Sequence, residues 1–213
     1  MKKFFSFAAG FLAVILLIVA AVITPAMNPA RFEKAVLNTV NREAVGMSES
    51  DLTAFARETM DFLRGKKDSW EPRTPFPVPQ SFADHMAEVR GWIKAFPAAA
   101  IGVQALVMAV LFLRPQERWL GAGLASAFGL IAAVILWAVI DFDSLWMVIH
   151  RVLIPNGIFP ANEPVMQLFP LSLFFSYIRS VVCWLGAYMA GVLGLGWLIR
   201  AISRRRRRST SRS

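Results

Sequence analysis

The sequence predicts an all-α integral membrane protein with four transmembrane helices. Of its 213 residues, 56% are apolar and only 17% are charged, against about 25% charged residues in an average soluble domain. The chain also contains charge-free apolar runs of about 20 residues, the length that crosses the hydrocarbon core of a bilayer. These observations exclude a soluble enzyme, a disordered protein and a disulfide scaffold, and the length fits one membrane domain over residues 1–213.

Apolar runs that end at a proline or a charge predict where the helices cross the membrane. The predicted spans cover residues 4–23, 96–113, 119–140 and 181–202. Such segments must be helical, because lipid offers no partner to backbone N–H and C=O groups. The first run, which we expect to stop at Pro25, is too long for the apolar core of a signal peptide, and no good Ala-x-Ala site follows it. We therefore expect an uncleaved anchor.

The charges predict that both chain ends lie in the cytoplasm. Segments 1–3, 114–118 and 200–213 together carry eleven basic residues and one acidic residue. By contrast, loop 28–94 carries ten of each sign, and loop 141–179 has a net charge of −1. The positive-inside rule then places the three short segments inside and both long loops outside. The arginine run at 204–208 is interpreted as a stop-transfer anchor that attracts anionic lipid, so no nucleic-acid partner is expected.

The first outer loop is predicted to form a mostly helical cap. Residues 30–45 and 49–64 have helix-compatible patterns, with Ser48 or Ser50 as the N-cap of the second helix and Gly65 as its stop. Four prolines between residues 70 and 79 predict an extended segment, and its Trp70 and Phe76 are expected at the headgroup level. A further helix over residues 81–94, capped by Ser81, leads towards the second span.

The second outer loop is predicted to hold a re-entrant or interfacial segment between spans three and four. Residues 145–154 and 165–175 are too apolar for a solvated loop and too short to cross the membrane. The breakers at 155–160 and 162–164 separate them. We expect this segment to form the wall or floor of a site, and Pro170 to kink a helix that leads into the fourth span.

The only two histidines, His85 and His150, both lie beside a span on the predicted outer side. Histidine can move protons near neutral pH, so two histidines at one interface can supply a general base and a proton donor. The alternative is that both are interfacial residues without a catalytic role. Glu88 is expected either to orient His85 or to lie on a solvated helix face, and Arg90 and Arg151 either to support the site or to bind lipid phosphate.

Other kinds of site find little support in the sequence. Two histidines lack a third ligand, the one cysteine, Cys183, cannot build a thiolate site, and no HExxH-type spacing occurs. No metal or cofactor is therefore expected. The sequence also lacks a Gly-x-Ser-x-Gly elbow, a P-loop and a dinucleotide-binding fingerprint.

Three segments resemble the lipoprotein intramolecular transacylase family of bacterial membrane proteins. Residues 52–65 (LTAFARETMDFLRG) resemble a family helix with an aromatic-Leu-x-Gly end, and residues 82–90 (FADHMAEVR) resemble its His-Met-x-Asp-Val-Lys motif. Residues 149–175 resemble its His-x-x-Phe-Phe segment and the later Leu-Pro-x-x-Phe-Phe step. Where the family tends to have Asp, Lys and a Phe pair, this chain has Glu88, Arg90 and the apolar pair at 153–154. Both histidines are present.

The resemblance implies an acyltransferase of the bacterial cytoplasmic membrane with its active site on the extracytoplasmic side. Its substrate would be a lipoprotein whose N-terminal cysteine carries S-diacylglyceryl and a free α-amine. The sn-2 acyl chain would move to that amine and leave the lyso form, without an acyl-enzyme. His85 is assigned as the base and His150 as the proton donor or oxyanion partner, with the reverse left open. The enzyme is expected to act as a monomer in contact with phospholipid.

Two other classes of function stay open at this stage. The chain could be a non-enzymatic subunit of an envelope complex, in which case both histidines would be replaceable. It could also be another outer-leaflet lipid acyltransferase or hydrolase, although the missing nucleophile elbow disfavours a hydrolase.

Overall fold

The computed structural model describes residues 1–112, 116–154, 159 and 163–210, which are largely helical. Within these residues four helices are long and apolar enough to cross a membrane, which confirms the prediction of an all-helical protein with four candidate spans. In chain order the helices are α1 (Lys2–Ala26), α2 (Pro29–Thr39), α3 (Arg42–Val45), α4 (Glu49–Leu63), α5 (Gln80–Phe112), α6 (Glu117–Ile140), α7 (Phe142–Leu153) and α8 (Leu171–Thr210). A short 3-10 helix, Pro164–Leu168, lies before α8.

The first helix is central to the membrane part, because α1 packs against α5, α6 and α8. Its approach to α6 depends on two glycines. A Cβ atom on Gly10 would overlap the carbonyl oxygen of Leu120, and one on Gly123 would overlap that of Phe7. Small residues at such crossings let transmembrane helices pack backbone to backbone.

The C-terminal end of α1 is joined to α8 by side-chain hydrogen bonds. The hydroxyl groups of Thr24 and Tyr188 are 2.6 Å apart, and Tyr177 donates to the carbonyl of Val22. The expectation that Pro25 stops this helix is wrong, since α1 continues to Ala26 with Pro25 inside its last turn. A proline is tolerated there because neighbouring helices can satisfy the backbone groups that its ring disturbs.

The cap forms a second core from α2, α3, α4 and the start of α5. The prediction of one helix over residues 30–45 is wrong, because Asn41 caps a new helix by accepting from the N–H groups of Glu43 and Ala44. The prediction for α4 is confirmed in detail. Ser48 and Asp51 form a capping box at its start, and Gly65 follows its end with a φ of 80°.

The sequence suggested that Trp70 lies at the headgroup level, but its side chain is buried inside the cap. Only 4% of its surface is exposed, and its indole nitrogen donates to the hydroxyl of Thr59 over 3.1 Å. The ring packs against Phe55 and Phe82. Phe76 also packs against this core. The proline-rich segment is thus fastened to the cap, because a buried hydroxyl on α4 satisfies the indole N–H.

Helix α5 joins the cap to the membrane part in one piece. It begins at Gln80, one residue before the predicted cap Ser81, and continues through Pro97 to Phe112. At about 1.5 Å per residue its 33 residues span about 50 Å, whereas the hydrocarbon core is about 30 Å thick. The polar half before Phe96 therefore projects from the membrane. The predicted stop at residues 114–115 lies outside the described residues.

The fourth span begins ten residues earlier than predicted, at Leu171. Residues 171–175 are thus part of α8, and Pro170 precedes the helix instead of kinking it, which suits a residue without an N–H group. Val165 and Leu168 of the 3-10 helix are fully buried in the cap core. Helix α8 also continues past the predicted end at residue 202, to Thr210.

Helix α7 forms from the first apolar piece of the second outer loop. It starts directly after α6, where the side chain of Asp141 accepts from the N–H of Ser144. The predicted breakers lie at residues 155–160 and 162–164, most of which are outside the described residues. The re-entrant or interfacial position of this loop stays a prediction.

Candidate active site

His85 lies on the second turn of α5, among aromatic side chains of the cap. The ring of Phe82, three residues earlier on the same helix, meets it edge-on with centroids 5.6 Å apart. Phe159 approaches from the second outer loop at 5.5 Å, also edge-on. Phe82 is itself 3% exposed, so the core of the cap holds this face of the imidazole in place.

His150 lies on the last turns of α7 and is only 6% exposed. Its Nδ1 atom is 2.9 Å from the carbonyl oxygen of Trp146, one helical turn earlier. A carbonyl can only accept, so Nδ1 donates and carries the ring proton of the neutral imidazole. The second nitrogen, Nε2, then holds the lone pair. The ring of Trp146 packs against the imidazole with centroids 4.1 Å apart.

The two histidines face each other although 64 residues separate them in the chain. Their ring centroids are 6.4 Å apart and their planes differ by 22°. The two imidazoles are therefore close enough to border the same small space beside α5 and α7. The fold thus brings together the two histidines that the sequence singled out.

The surroundings of His85 favour its neutral form. Burial lowers the pKa of His85, and the nearby His150 lowers it further, while Glu88 opposes both by raising it. His85 lies eleven residues before Phe96, where the apolar stretch of α5 begins, and so projects from the hydrocarbon core. A neutral imidazole there can donate or accept one hydrogen bond at each nitrogen.

The Nδ1 atom of His85 is buried and makes no hydrogen bond within the described residues. Buried N–H groups without a partner are rarer in proteins than buried acceptors with an unused lone pair. The stable tautomer therefore keeps the proton of His85 on Nε2. His85 then presents a donor, whereas His150 presents a lone pair.

The charged residues that the sequence singled out lie in different surroundings. Glu88 is half-buried one turn after His85, and its charge acts on that ring. The guanidinium of Arg90 donates to the carbonyl of Asp68 over 3.1 Å and lies 4.8 Å from the ring centre of Phe62. Arg90 is thereby engaged with the loop after α4. Arg151 is an exposed residue next to His150.

Three aromatic residues of the site were not assigned by sequence reasoning. Trp146 is four residues before His150, so helical spacing alone could have placed both side chains on one face. The same argument applies to Phe82 and His85, which are three residues apart. No local pattern could have found Phe159, because its contact with His85 depends on how the second outer loop folds back.

The described residues contain no group of three or more His, Cys, Asp or Glu side chains that could hold a metal ion. A polar cavity of about 350 Å³ lies beside the loop after α4, and its lining includes neither histidine. The histidine pair is the better candidate for acid–base chemistry, because it brings two imidazoles together beside aromatic side chains.

Comparison with known proteins decides the family. A family model described as lipoprotein intramolecular transacylase Lit matches residues 6–175. The chain belongs to the Lit family. It is thus a member of a family of acyltransferases in bacterial lipoprotein processing, and this answers the question of whether it is an enzyme. The Lit match covers both histidines. No curated protein matches the chain.

Solved Lit structures share the fold of this chain. The membrane integral lipoprotein intramolecular transacylase Lit from Bacillus cereus, in a variant with one histidine replaced by alanine, is similar with a TM-score of 0.72 and 13% identity over 97% of this chain and 96% of that one. A variant with arginine at that histidine gives a TM-score of 0.70 and 15% identity over 98% and 95% of the two chains. At such low identity the likeness shows the fold alone.

Proposed function

We propose that this protein moves the sn-2 acyl chain of an S-diacylglyceryl cysteine to the α-amine of that same cysteine, at the N-terminus of a bacterial lipoprotein. The observation that carries this proposal is the facing pair of imidazoles, His85 and His150, with centroids 6.4 Å apart. Membership of the Lit family supplies the class of substrate. The two histidines supply the acid–base groups that ester aminolysis requires.

His150 acts as the base, the reverse of the assignment that the sequence favoured. Its Nε2 lone pair takes a proton from the α-amine as the amine nitrogen attacks the ester carbonyl carbon. The ordinary pKa of an α-amine is near 8, which is not far above that of a free imidazole. The proton can therefore move from the amine to an imidazole at a small cost in free energy. Trp146 supports this role, because its carbonyl accepts a hydrogen bond from Nδ1–H of His150 and so holds the required tautomer.

His85 acts as a neutral hydrogen-bond donor to the oxyanion that forms on the carbonyl oxygen. The tetrahedral intermediate then collapses, the bond from carbon to the glyceryl oxygen breaks, and protonated His150 returns its proton to that oxygen. The products are an amide on the cysteine nitrogen and a free glyceryl hydroxyl, so the total mass is unchanged. Amine and ester belong to one molecule, and orientation therefore supplies much of the rate enhancement.

No acyl-enzyme is needed, because the acceptor amine is already beside the ester. The site lies on the outer side of the cytoplasmic membrane, with both chain ends inside, as the charge distribution indicates. Helix α7 lies at the membrane interface, since it exposes the apolar residues Val148, Ile149 and Val152. Both histidines come from one chain, so a single copy supplies the proposed acid–base pair, and we propose that the enzyme acts as a monomer.

Mass spectrometry of the N-terminal lipopeptide of an abundant lipoprotein tests this proposal. The lipoprotein is made in a host that forms only the diacyl form, with and without this protein. We expect an unchanged total mass with one acyl chain on the α-amine. His85→Ala and His150→Ala should abolish the transfer, whereas Ser81→Ala, at an exposed site one turn from His85, should retain it.

Three results would contradict the proposal. An unaltered S-diacylglyceryl pattern despite confirmed membrane expression would exclude this reaction for that substrate. Full transfer by both histidine variants would mean that the protein performs the reaction without the help of these histidines. An acylated form of the protein itself, trapped during turnover, would replace direct transfer by a covalent route.

A further inference from the structure

The loop after α4 places three exposed basic side chains beside a fourth on α5, near the place where α5 enters the membrane. Gly65 follows α4 in a left-handed conformation, and the N–H groups of Gly65 and Lys66 donate back to the carbonyls of Phe62 and Asp61. This pair of hydrogen bonds is a Schellman motif, which turns the chain sharply. Arg64, Lys66 and Lys67 are consequently presented side by side and exposed.

Contacts with α5 place this turn close to the start of the apolar stretch of that helix. A Cβ atom on Gly65 would lie 3.2 Å from Cε of Lys94 and 3.6 Å from a terminal nitrogen of Arg90. Lys94 is two residues before Phe96, the first residue of the apolar stretch, so it lies about 3 Å above that stretch along the helix. The headgroup layer is about 5–8 Å deep on each side of the hydrocarbon core.

Trp92 gives an independent indication of this height. It lies between Arg90 and Lys94 in the chain, and its ring packs against Phe96 with centroids 5.4 Å apart. Tryptophan collects at the boundary between headgroups and hydrocarbon. The four cations Arg64, Lys66, Lys67 and Lys94, which we call the basic collar, are therefore at the level of lipid phosphates.

We propose that the basic collar binds the phosphate-bearing headgroups of anionic phospholipids and so holds the cap against the bilayer. Segments 64–67 and 90–94 contain five basic residues and no acidic one, although loop 28–94 as a whole is neutral. Half of the basic residues of the loop thus lie in these two segments, although Asp61 and Asp68 flank the first of them. Each lysine or arginine near an anionic surface strengthens binding about fivefold.

The acidic neighbours of the collar do not cancel this charge. Asp61 is 3.0 Å from Lys66, and Glu58 is 3.9 Å from Lys67. Such exposed pairs are weak and are readily exchanged for another anion. The polar cavity of about 350 Å³ beside the same two lysines is also lined by Glu58, Asp68 and Glu71. The collar therefore depends on its exposed side chains and not on this cavity.

The test compares two variants that lose the same number of positive charges from the cap. Arg64→Gln with Lys94→Gln removes half of the collar, whereas Arg42→Gln with Arg57→Gln removes two exposed cations on α3 and the middle of α4. Full-length proteins are placed in nanodiscs of equal parts phosphatidylglycerol and phosphatidylcholine. Native mass spectrometry then measures the ratio of the two lipids that each protein retains. The basic tail is common to all proteins and drops out of the comparison.

We expect the collar variant, which loses two cations, to lose roughly 25-fold in its preference for phosphatidylglycerol over phosphatidylcholine, and the matched variant to keep the wild-type ratio. The charge-retaining variant Arg64→Lys with Lys94→Arg should also keep it, and it remains informative if the glutamine variant folds poorly. An equal loss in both glutamine variants, or none in either, would overturn the proposal. So would an effect that inorganic phosphate in a neutral detergent reproduces, because the collar would then be a site for small anions.

Discussion

The Nδ1 atom of His150 lies 2.9 Å from the carbonyl oxygen of Trp146, and the two rings are 4.1 Å apart at their centroids. This relationship turns a symmetrical pair of histidines into an unsymmetrical one. His150 is left with a free lone pair on Nε2, while His85, without a hydrogen bond on Nδ1 from the described residues, keeps its proton on Nε2. The roles of base and donor that we propose rest on that difference.

Glutamine substitutions should separate these two roles. The side-chain amide of His85→Gln can still donate a hydrogen bond to an oxyanion, so we expect roughly tenfold more activity than in His85→Ala. No amide can replace a base, so His150→Gln and His150→Ala should be equally impaired, by about 10² or more. Initial rates of acyl transfer in detergent micelles measure both ratios. Rescue by glutamine at position 150 instead of 85 would reverse the assignment.

The pH dependence of the reaction should respond to Glu88. Burial and His150 lower the pKa of His85, whereas Glu88 raises it. Protonated His85 would oppose the charging of His150, so activity should fall as the pH drops through the pKa of His85. Glu88→Gln removes the raising effect, and the acidic limb of kcat/KM should therefore move to lower pH.

The position of that limb is the diagnostic quantity, because a purely structural role of Glu88 would lower the whole profile without moving it. Asp84→Asn, at an exposed site next to His85, serves as the matched control and should leave the limb in place. A limb that moves to higher pH in Glu88→Gln would contradict the assignment of neutral His85.

The crossing of α1 and α6 should be sensitive to a single methyl group. In Gly123→Ala the new Cβ overlaps the carbonyl oxygen of Phe7, and rigid backbone on both sides forces the helices apart. Overpacking of this kind costs about 1–3 kcal/mol, so the apparent Tm should fall by several degrees. Gly121→Ala is the control on the same helix, because nothing lies within 4 Å of its Cβ. Equal Tm values for both variants would argue against this close crossing.

The hydrogen bond between Trp70 and Thr59 should be measurable by a double-mutant cycle. Thr59→Val leaves a buried indole N–H without its partner, which costs about 1–3 kcal/mol of unfolding free energy. In the background of Trp70→Phe the same change should cost much less, since no indole is left to satisfy. Denaturant unfolding of the four proteins gives the coupling energy. Additive effects would mean that the 3.1 Å contact contributes nothing beyond packing.

Local sequence patterns predicted a large part of the architecture. The four apolar runs, the capping box at Ser48 and the stop at Gly65 were predictable, because span length, N-cap chemistry and left-handed glycine are properties of short segments. The segment 82–90 also indicated the family that the Lit match then established. Predictions failed where a short segment had two readings, as at residues 171–175, which belong to α8 and not to a separate piece.

The sequence by itself therefore determined the membrane class, the number of apolar helices and the two candidate histidines. Only the tertiary structure decided that those histidines face each other, that Trp146 selects the tautomer of His150, and that Trp70 is buried. The physical reason is the distance along the chain over which each interaction acts. Hydropathy and capping act over one to a few turns of chain, whereas the meeting of α5 with α7 depends on how α1 packs the other spans and on how the cap core fills around Phe82.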